Sequence, residues 1–140
     1  MTENYKILAK FIKDLSSETP NTETYLFVKD NIAKYQLGID ITSKALKNQM
    51  VEINTKLKFE DREGNEKKSH FEIIYATIIK VNEKIKDKKE LEKIILCDVQ
   101  IEIYSDLEKS LLDLLHNSGY PGIKFEKKVD FEKLYNQRFN

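Results

Sequence analysis

The residues best suited to act as bases, nucleophiles or metal ligands are two histidines, His70 and His116, and one cysteine, Cys97. A single cysteine excludes an intrachain disulfide and a cysteine-built zinc site. Neither histidine has a serine or cysteine signature beside it, and isolated histidines are common as surface or packing residues. Cys97 ends the apolar run Ile94–Cys97, which predicts a buried hydrophobic side chain rather than a nucleophile. The sequence therefore predicts no enzyme, no cofactor and no metal site.

The sequence also argues against three kinds of binding: a phosphate-binding loop, a calcium loop and nucleic acid. The chain has four glycines, and none has the spacing of a phosphate-binding loop. The segment from Asp61 to Asn65 has its glycine at the fourth position, whereas a calcium loop requires one at the sixth. Basic and acidic residues balance at 24 each, and of the basic residues only Arg62 and Arg138 are arginine. Nucleic acid is not an expected partner, since a nucleic-acid-binding protein must neutralise phosphates.

A length of 140 residues predicts a single domain over 1–140. The chain carries no apolar stretch near the ~20 residues needed to cross a bilayer, so direct membrane insertion is not expected. The N-terminus, Met1 to Asn4, lacks a basic region followed by an apolar core, and no secretory signal is expected there. We therefore expect a cytoplasmic protein.

Alternating apolar and polar residues predict three strands in the middle of the chain. The first begins at Tyr35, the second spans about Val51 to Phe59, and the third runs from His70 to about Val81. The third differs from the others because Phe71, Ile73, Tyr75, Ile79 and Val81 share one face while Ile74, Ala76 and Ile78 make the other apolar too. A strand that is apolar on both faces is covered on both sides, so we expect part of the second face to be buried against another subunit.

Helical spacing follows the strands. Capping signals predict helix starts near Asp87 and at Ser105, Gly119 predicts a helix end, and a last helix starts at Asp130. The residues before the strands are less clear: 5–15 fit either a helix or a strand, and about 20–34 looks like a long connection to the next strand. Strands followed by helices predict an α+β fold with an antiparallel sheet.

Four short segments resemble the SecB family of protein-export chaperones. They are KDLSSETPN at 13–21, EIIYA at 72–76, SGYP at 118–121 and VDFEKLYNQR at 129–138. Each is short, but together they occur in the family's order and span most of the chain. The resemblance implies a SecB-like four-stranded antiparallel sheet followed by C-terminal helices, with residues 5–15 as a strand, oligomeric through the sheet and helices. It also implies a homotetramer, a dimer of dimers, with no enzymatic activity.

The same resemblance implies a holdase that binds unfolded preproteins, keeps them export-competent and delivers them to the translocase motor SecA. Asp14, Glu18 and Glu72 match the family's acidic SecA contacts. Ordinary surface acids are the alternative interpretation of the three residues. Glu72 shares a predicted strand face with Ile74 and Ala76, so it borders an otherwise apolar surface.

Candidate walls of a client groove are the leucines of one helix and a tyrosine of the last helix: Leu107, Leu111, Leu114 and Tyr135. The same side chains could instead be core. The family's proline-containing segment before the long helix is replaced here by CDVQIEIY at 97–104, and the chain has no tryptophan in the crossover connection. Both regions help to form the family's groove, so the resemblance does not fix the shape of the groove in this chain. The alternative function is a SecB-like chaperone dedicated to one client, such as an antitoxin, without SecA targeting.

Overall fold

The computed structural model describes residues 3–125 and 128–139, without the side chains of 138 and 139. Met1 and Thr2 of the N-terminus, and the side chain of Arg138 in the closing motif, lie outside the described part. In chain order the elements are β1 (Tyr5–Glu18), α1 (Thr22–Asn31), a 3₁₀ turn (Ile32–Lys34), β2 (Gln36–Ala45), β3 (Met50–Glu60), β4 (His70–Val81), α2 (Lys88–Lys93), a π-helical turn (Ile94–Asp98), α3 (Val99–Asn117) and α4 (Phe131–Phe139).

The four strands form one antiparallel sheet in the order β1-β4-β3-β2. This confirms the predicted fold class. Odd-numbered residues of β3 and β4, from Val51 to Phe59 and from Phe71 to Val81, are buried beneath the helices. We call the opposite side, which carries the even-numbered residues of these two strands, the open face. The helices of the described chain leave it uncovered, so the expected burial of part of this face against another subunit stays a prediction.

The segment that fitted both periodicities is strand β1, as the family resemblance implies. It pairs along its length with β4, from Tyr5 opposite Val81 to Glu18 opposite His70. Two register shifts, at Leu8 and at Lys13, each insert one extra residue. A bulge moves the following side chains to the other face, which explains why both periodicities fitted the sequence. β1 is an edge strand, and its outer backbone groups face away from the sheet.

The connection between β1 and β2 contains a helix that the sequence pattern did not indicate. The Asn21 side chain caps α1, with its Oδ1 accepting a 2.8 Å hydrogen bond from the backbone N–H of Thr24. The buried residues of this helix are Thr24 and Val28, whereas Leu26 between them is 55% exposed. Its apolar stripe is consequently too weak to predict a helix from the sequence.

The predicted helix start at Ser105 is wrong. Asp87 caps α2 as predicted, but the chain then continues through the π-helical turn directly into α3, and Ser105 lies inside that helix. No proline or glycine lies between 88 and 117 to break the helix. The end at Gly119 is confirmed, since its φ of +108° is open to glycine and strained for other residues. Asp130 caps α4 through the N–H of Lys133, at 3.0 Å, as its predicted start requires.

The core lies between the sheet and α3. Ile53, Leu57, Phe71 and Ile73 from the strands have no exposed surface. At one end of the sheet an aromatic cluster closes the core, and its members are Tyr35, Phe59, Phe71, Tyr120 and Phe125. This arrangement fixes α3 on one face of the sheet, and the open face and the region beneath α4 are the candidate binding surfaces.

Candidate binding surfaces

Three acidic residues predicted from the family resemblance lie together on the open face. In the β1–β4 pairing Asp14 is opposite Ile74, Glu18 is opposite His70, and Glu72 is opposite Ser16. Glu72 therefore sits diagonally between the other two, at about 7–8 Å from each by the usual sheet spacing. Asp14 and Glu18 are exposed. We call these three residues the acidic cluster.

A lysine competes for the acidic cluster from the neighbouring strand. The Nζ of Lys56 on β3 lies 3.4 Å from the Oε1 of Glu72, and the Glu72 side chain is only 14% exposed. This ion pair partly neutralises the central carboxylate. A cationic partner of this cluster must displace or outcompete Lys56, because two cations cannot both be close to one carboxylate without repelling each other.

The centre of the open face is covered by a second polar network. Lys13 reaches across β4 from its bulge, and its Nζ donates to Glu52 Oε2 at 2.9 Å and to Asn54 Oδ1 at 3.4 Å. Asn54 also donates to the same carboxylate at 2.9 Å. The hydrogen bonds from Asn54 and Lys13 lower the pKa of Glu52. Ala76 beneath this network is fully buried, although Phe11 opposite it remains 43% exposed.

An apolar cavity of about 220 Å³ lies between β2, the π-helical turn and α4. Its apolar lining residues are Ile39, Ile41, Leu96, Phe131, Leu134 and Tyr135. Asp40 is the charged residue at its border. Leu134 is 47% exposed, so α4 forms an apolar rim rather than a closed lid. The cavity can therefore take up an apolar side chain from an unfolded polypeptide. We call it the α4 cavity.

The four residues proposed as groove walls occupy different environments. Leu107 and Leu111 are fully buried between α3 and the sheet, so they could contact a client only if α3 moved. Leu114 is half-buried and packs against the core, whereas Tyr135 lines the α4 cavity. Sequence reasoning missed Ile39, Ile41 and Leu96 as lining residues. Ile39 and Ile41 alternate with polar residues along their strand. This pattern predicted that they share a buried face, but it did not indicate which helix covers that face.

Cys97 and His116, two of the residues considered as nucleophile or base, make packing and backbone contacts in the structure. Cys97 is fully buried, and desolvation, followed by the nearby Asp98 charge, raises the pKa of its thiol. The Nε2 of His116 lies 3.0 Å from the carbonyl oxygen of Ile123. Within 3–125 and 128–139, no cluster of three or more histidine, cysteine or acidic side chains could hold a metal ion. The same residues include no helix long and apolar enough to cross a membrane.

The fold is a four-stranded antiparallel sheet with helices on one face, and the α4 cavity and the acidic cluster are its candidate binding surfaces. The solved structures that share this fold include a SecB-like chaperone from Mycobacterium tuberculosis in complex with a ChAD peptide from the HigA1 antitoxin. It matches with a TM-score of 0.66 at 11% sequence identity, covering 90% of this chain and 88% of that one.

Sequence comparison identifies the family. The family model described as preprotein translocase subunit SecB matches residues 1–140, and the chain belongs to the SecB family. A provisionally named protein-export protein SecB from Pelagibacter ubique is 64% identical over 140 residues, covering 100% of both chains. The protein-export protein SecB of Parvibaculum lavamentivorans is 25% identical over 133 residues, covering 95% of this chain and 77% of that protein. SecB proteins are chaperones and not enzymes, so this chain has a chaperone role in protein export.

Proposed function

We propose that this protein binds unfolded preproteins, keeps them export-competent and delivers them to SecA in the cytoplasm. The observation that carries the proposal is the α4 cavity with its half-exposed apolar rim. An unfolded chain exposes apolar side chains, and their removal from water is favourable by roughly 25 cal/mol per Å². Such binding depends on apolar area rather than on a sequence motif, as a holdase with many clients requires.

Assembly of several copies into one oligomer would strengthen the binding of a client by the α4 cavities. β1 is a 14-residue edge strand, and its Leu8, Phe11, Ile12 and Leu15 side chains, which lie on both faces of the strand, are each between 43% and 46% exposed. Long apolar edge strands of soluble proteins are normally paired or covered. We propose that a second copy covers this edge and that two such pairs form the homotetramer. One client could then occupy several α4 cavities at once, which gives avidity without a fixed motif.

The acidic cluster is the proposed contact for SecA. Asp14 and Glu18 present two exposed carboxylates, and Glu72 adds a third on the adjacent strand. A basic segment of SecA fits this charge. Ile74 lies beside the carboxylates and adds apolar area, so the acidic cluster and Ile74 together could also bury an apolar side chain of SecA.

A client-dedicated chaperone is the second candidate. The structural neighbour solved with an antitoxin peptide favours it. That likeness rests on the fold alone, whereas the three acids that form one cluster favour SecA delivery.

Two measurements test the proposal. A denatured preprotein is diluted into buffer with and without a stoichiometric amount of the purified protein, and we expect slower refolding in its presence. SecA binding is measured separately by titration calorimetry with the unaltered chain and with Glu72→Lys. The charge reversal should abolish SecA binding and leave client binding intact. Unchanged refolding contradicts the holdase role, and unchanged SecA affinity contradicts the acidic cluster as its contact.

A further inference from the structure

A polar pair lies buried between α3 and the sheet. The hydroxyl of Thr55 on β3 donates to the Oε1 of Gln100 at 2.9 Å, and neither residue has any exposed surface. Gln100 in turn donates from Nε2 to the carbonyl oxygen of Ile95 at 3.1 Å. Both ends of the Gln100 amide are therefore satisfied inside an otherwise apolar core, and a buried amide that lost these partners would carry a large desolvation cost.

The carbonyl that Gln100 binds belongs to the π-helical turn. The backbone N–H of Val99 bonds to the carbonyl of Ile94, five residues back, whereas an α-helix would pair it with Ile95. The Gln100 side chain thus takes the place of the helical donor that Ile95 loses. Without it, the turn would bury an unpaired carbonyl, and an ordinary α-helical turn would become more favourable.

The π-helical turn also sets the direction of Leu96. An additional residue in one turn rotates the side chains before it by about 100° relative to those after it, given 3.6 residues per α-helical turn. Leu96 lies in this turn and lines the α4 cavity between β2 and α4. An α-helical turn in the same place would point Leu96 in a different direction.

We infer that Gln100, held by Thr55, is a positioning residue that maintains the π-helical turn and so places Leu96 in the wall of the α4 cavity. The inference rests on the proposed function, because it assigns Leu96 to the site that takes up apolar side chains of clients. Gln100 itself does not contact the client. Gln100 contributes to the shape of the cavity, so its loss should reduce the effect of Leu96 on client affinity.

A double-mutant cycle tests this positioning. The probe is a fluorescein-labelled, unstructured peptide rich in leucine and phenylalanine, and its affinity is measured by fluorescence anisotropy. In the unaltered protein Leu96→Ala should weaken binding by roughly three- to tenfold, the loss expected for part of a leucine contact. In a Thr55→Val or Gln100→Met background, binding is already weaker, and adding Leu96→Ala should change it less than about twofold. Thr55→Ser keeps the hydroxyl and should behave as the unaltered protein.

The outcomes separate this inference from the proposed function. If the unaltered protein does not bind the peptide, the proposed function fails and the inference falls with it. If it binds but Leu96→Ala has the same effect in every background, or no effect at all, the inference alone is overturned. A Gln100→Met variant that fails to fold leaves the decision to the Thr55→Val and Thr55→Ser pair, since valine keeps the volume of Thr55 without its hydroxyl and serine keeps the hydroxyl without the methyl group.

Discussion

Truncation of Leu134 tests whether the α4 cavity binds clients. The side chain is 47% exposed at the rim of the α4 cavity, so about half of it is available to a client. Burial of a whole leucine side chain contributes about 1.5–3 kcal/mol. Half of that is about 0.7–1.5 kcal/mol, and Leu134→Ala should weaken client binding by roughly three- to twelvefold at 1.4 kcal/mol per factor of ten.

The assay is a titration of a labelled, chemically unfolded preprotein with each variant. Leu134→Met is the matched control, since it keeps a similar apolar volume at the same place and should bind within about twofold of the unaltered chain. The buried half of Leu134 also holds α4, so urea unfolding should show a loss of no more than about 1.5 kcal/mol for the alanine variant. Binding is therefore measured in buffer without denaturant, where each variant is folded.

An alanine variant that binds clients as tightly as the unaltered chain would refute the reasoning that α4 forms the client site. Equal losses in the alanine and methionine variants would also count against it, because apolar area would then not be the cause. A loss of binding accompanied by loss of the folded signal would instead place Leu134 in the fold rather than in the site.

Three further changes test other parts of the structure. Lys56→Gln removes the internal competitor of the acidic cluster and should strengthen binding of a basic SecA-derived peptide by up to about fivefold at low salt, measured by calorimetry. Gly119→Ala should lower the free energy of unfolding by about 1–3 kcal/mol in urea titrations, because the φ of Gly119 is +108° and a Cβ there would lie 2.6 Å from the Tyr25 ring. Gly122→Ala is the control and should change the free energy of unfolding little, since there is open space around Gly122. Glu52→Gln should cost up to about 1 kcal/mol of stability at neutral pH. Because the folded-state pKa of Glu52 is lowered, its contribution exists above the unfolded pKa and should vanish as the pH falls through the folded one, which urea titrations at neutral and acidic pH can check.

Local periodicity carried the prediction of β3 and β4 because burial alternates residue by residue along them. The second face of β4 carries Ile74 and Ile78, which are partly buried and apolar where a solvated strand would be polar, and this pattern predicted burial against another subunit. The same pattern did not identify β1, because the bulges at Leu8 and Lys13 each shift the alternation of its side chains between the two faces of the sheet. The resemblance to SecB was needed to identify it as a strand.

The acidic cluster was predictable only as a set of residue types. Asp14, Glu18 and Glu72 matched family motifs, but their meeting depends on the β1–β4 register. The competing Lys56 could not be found from the sequence, since its contact depends on the alignment of a third strand. In the same way, the helical spacing of Leu107 and Leu111 fitted both a core face and a groove wall, and the packing of α3 on the sheet shows them to be core.

The unpaired outer edge of β1 has a consequence for the protein in dilute solution. If a second copy covers that edge, part of the stability belongs to the association and follows the law of mass action. The midpoint of thermal unfolding should then rise with protein concentration, and separated subunits should be cut by proteases first along residues 5–18. Cellular abundance would in that case set how much of the chaperone is intact, before any client arrives.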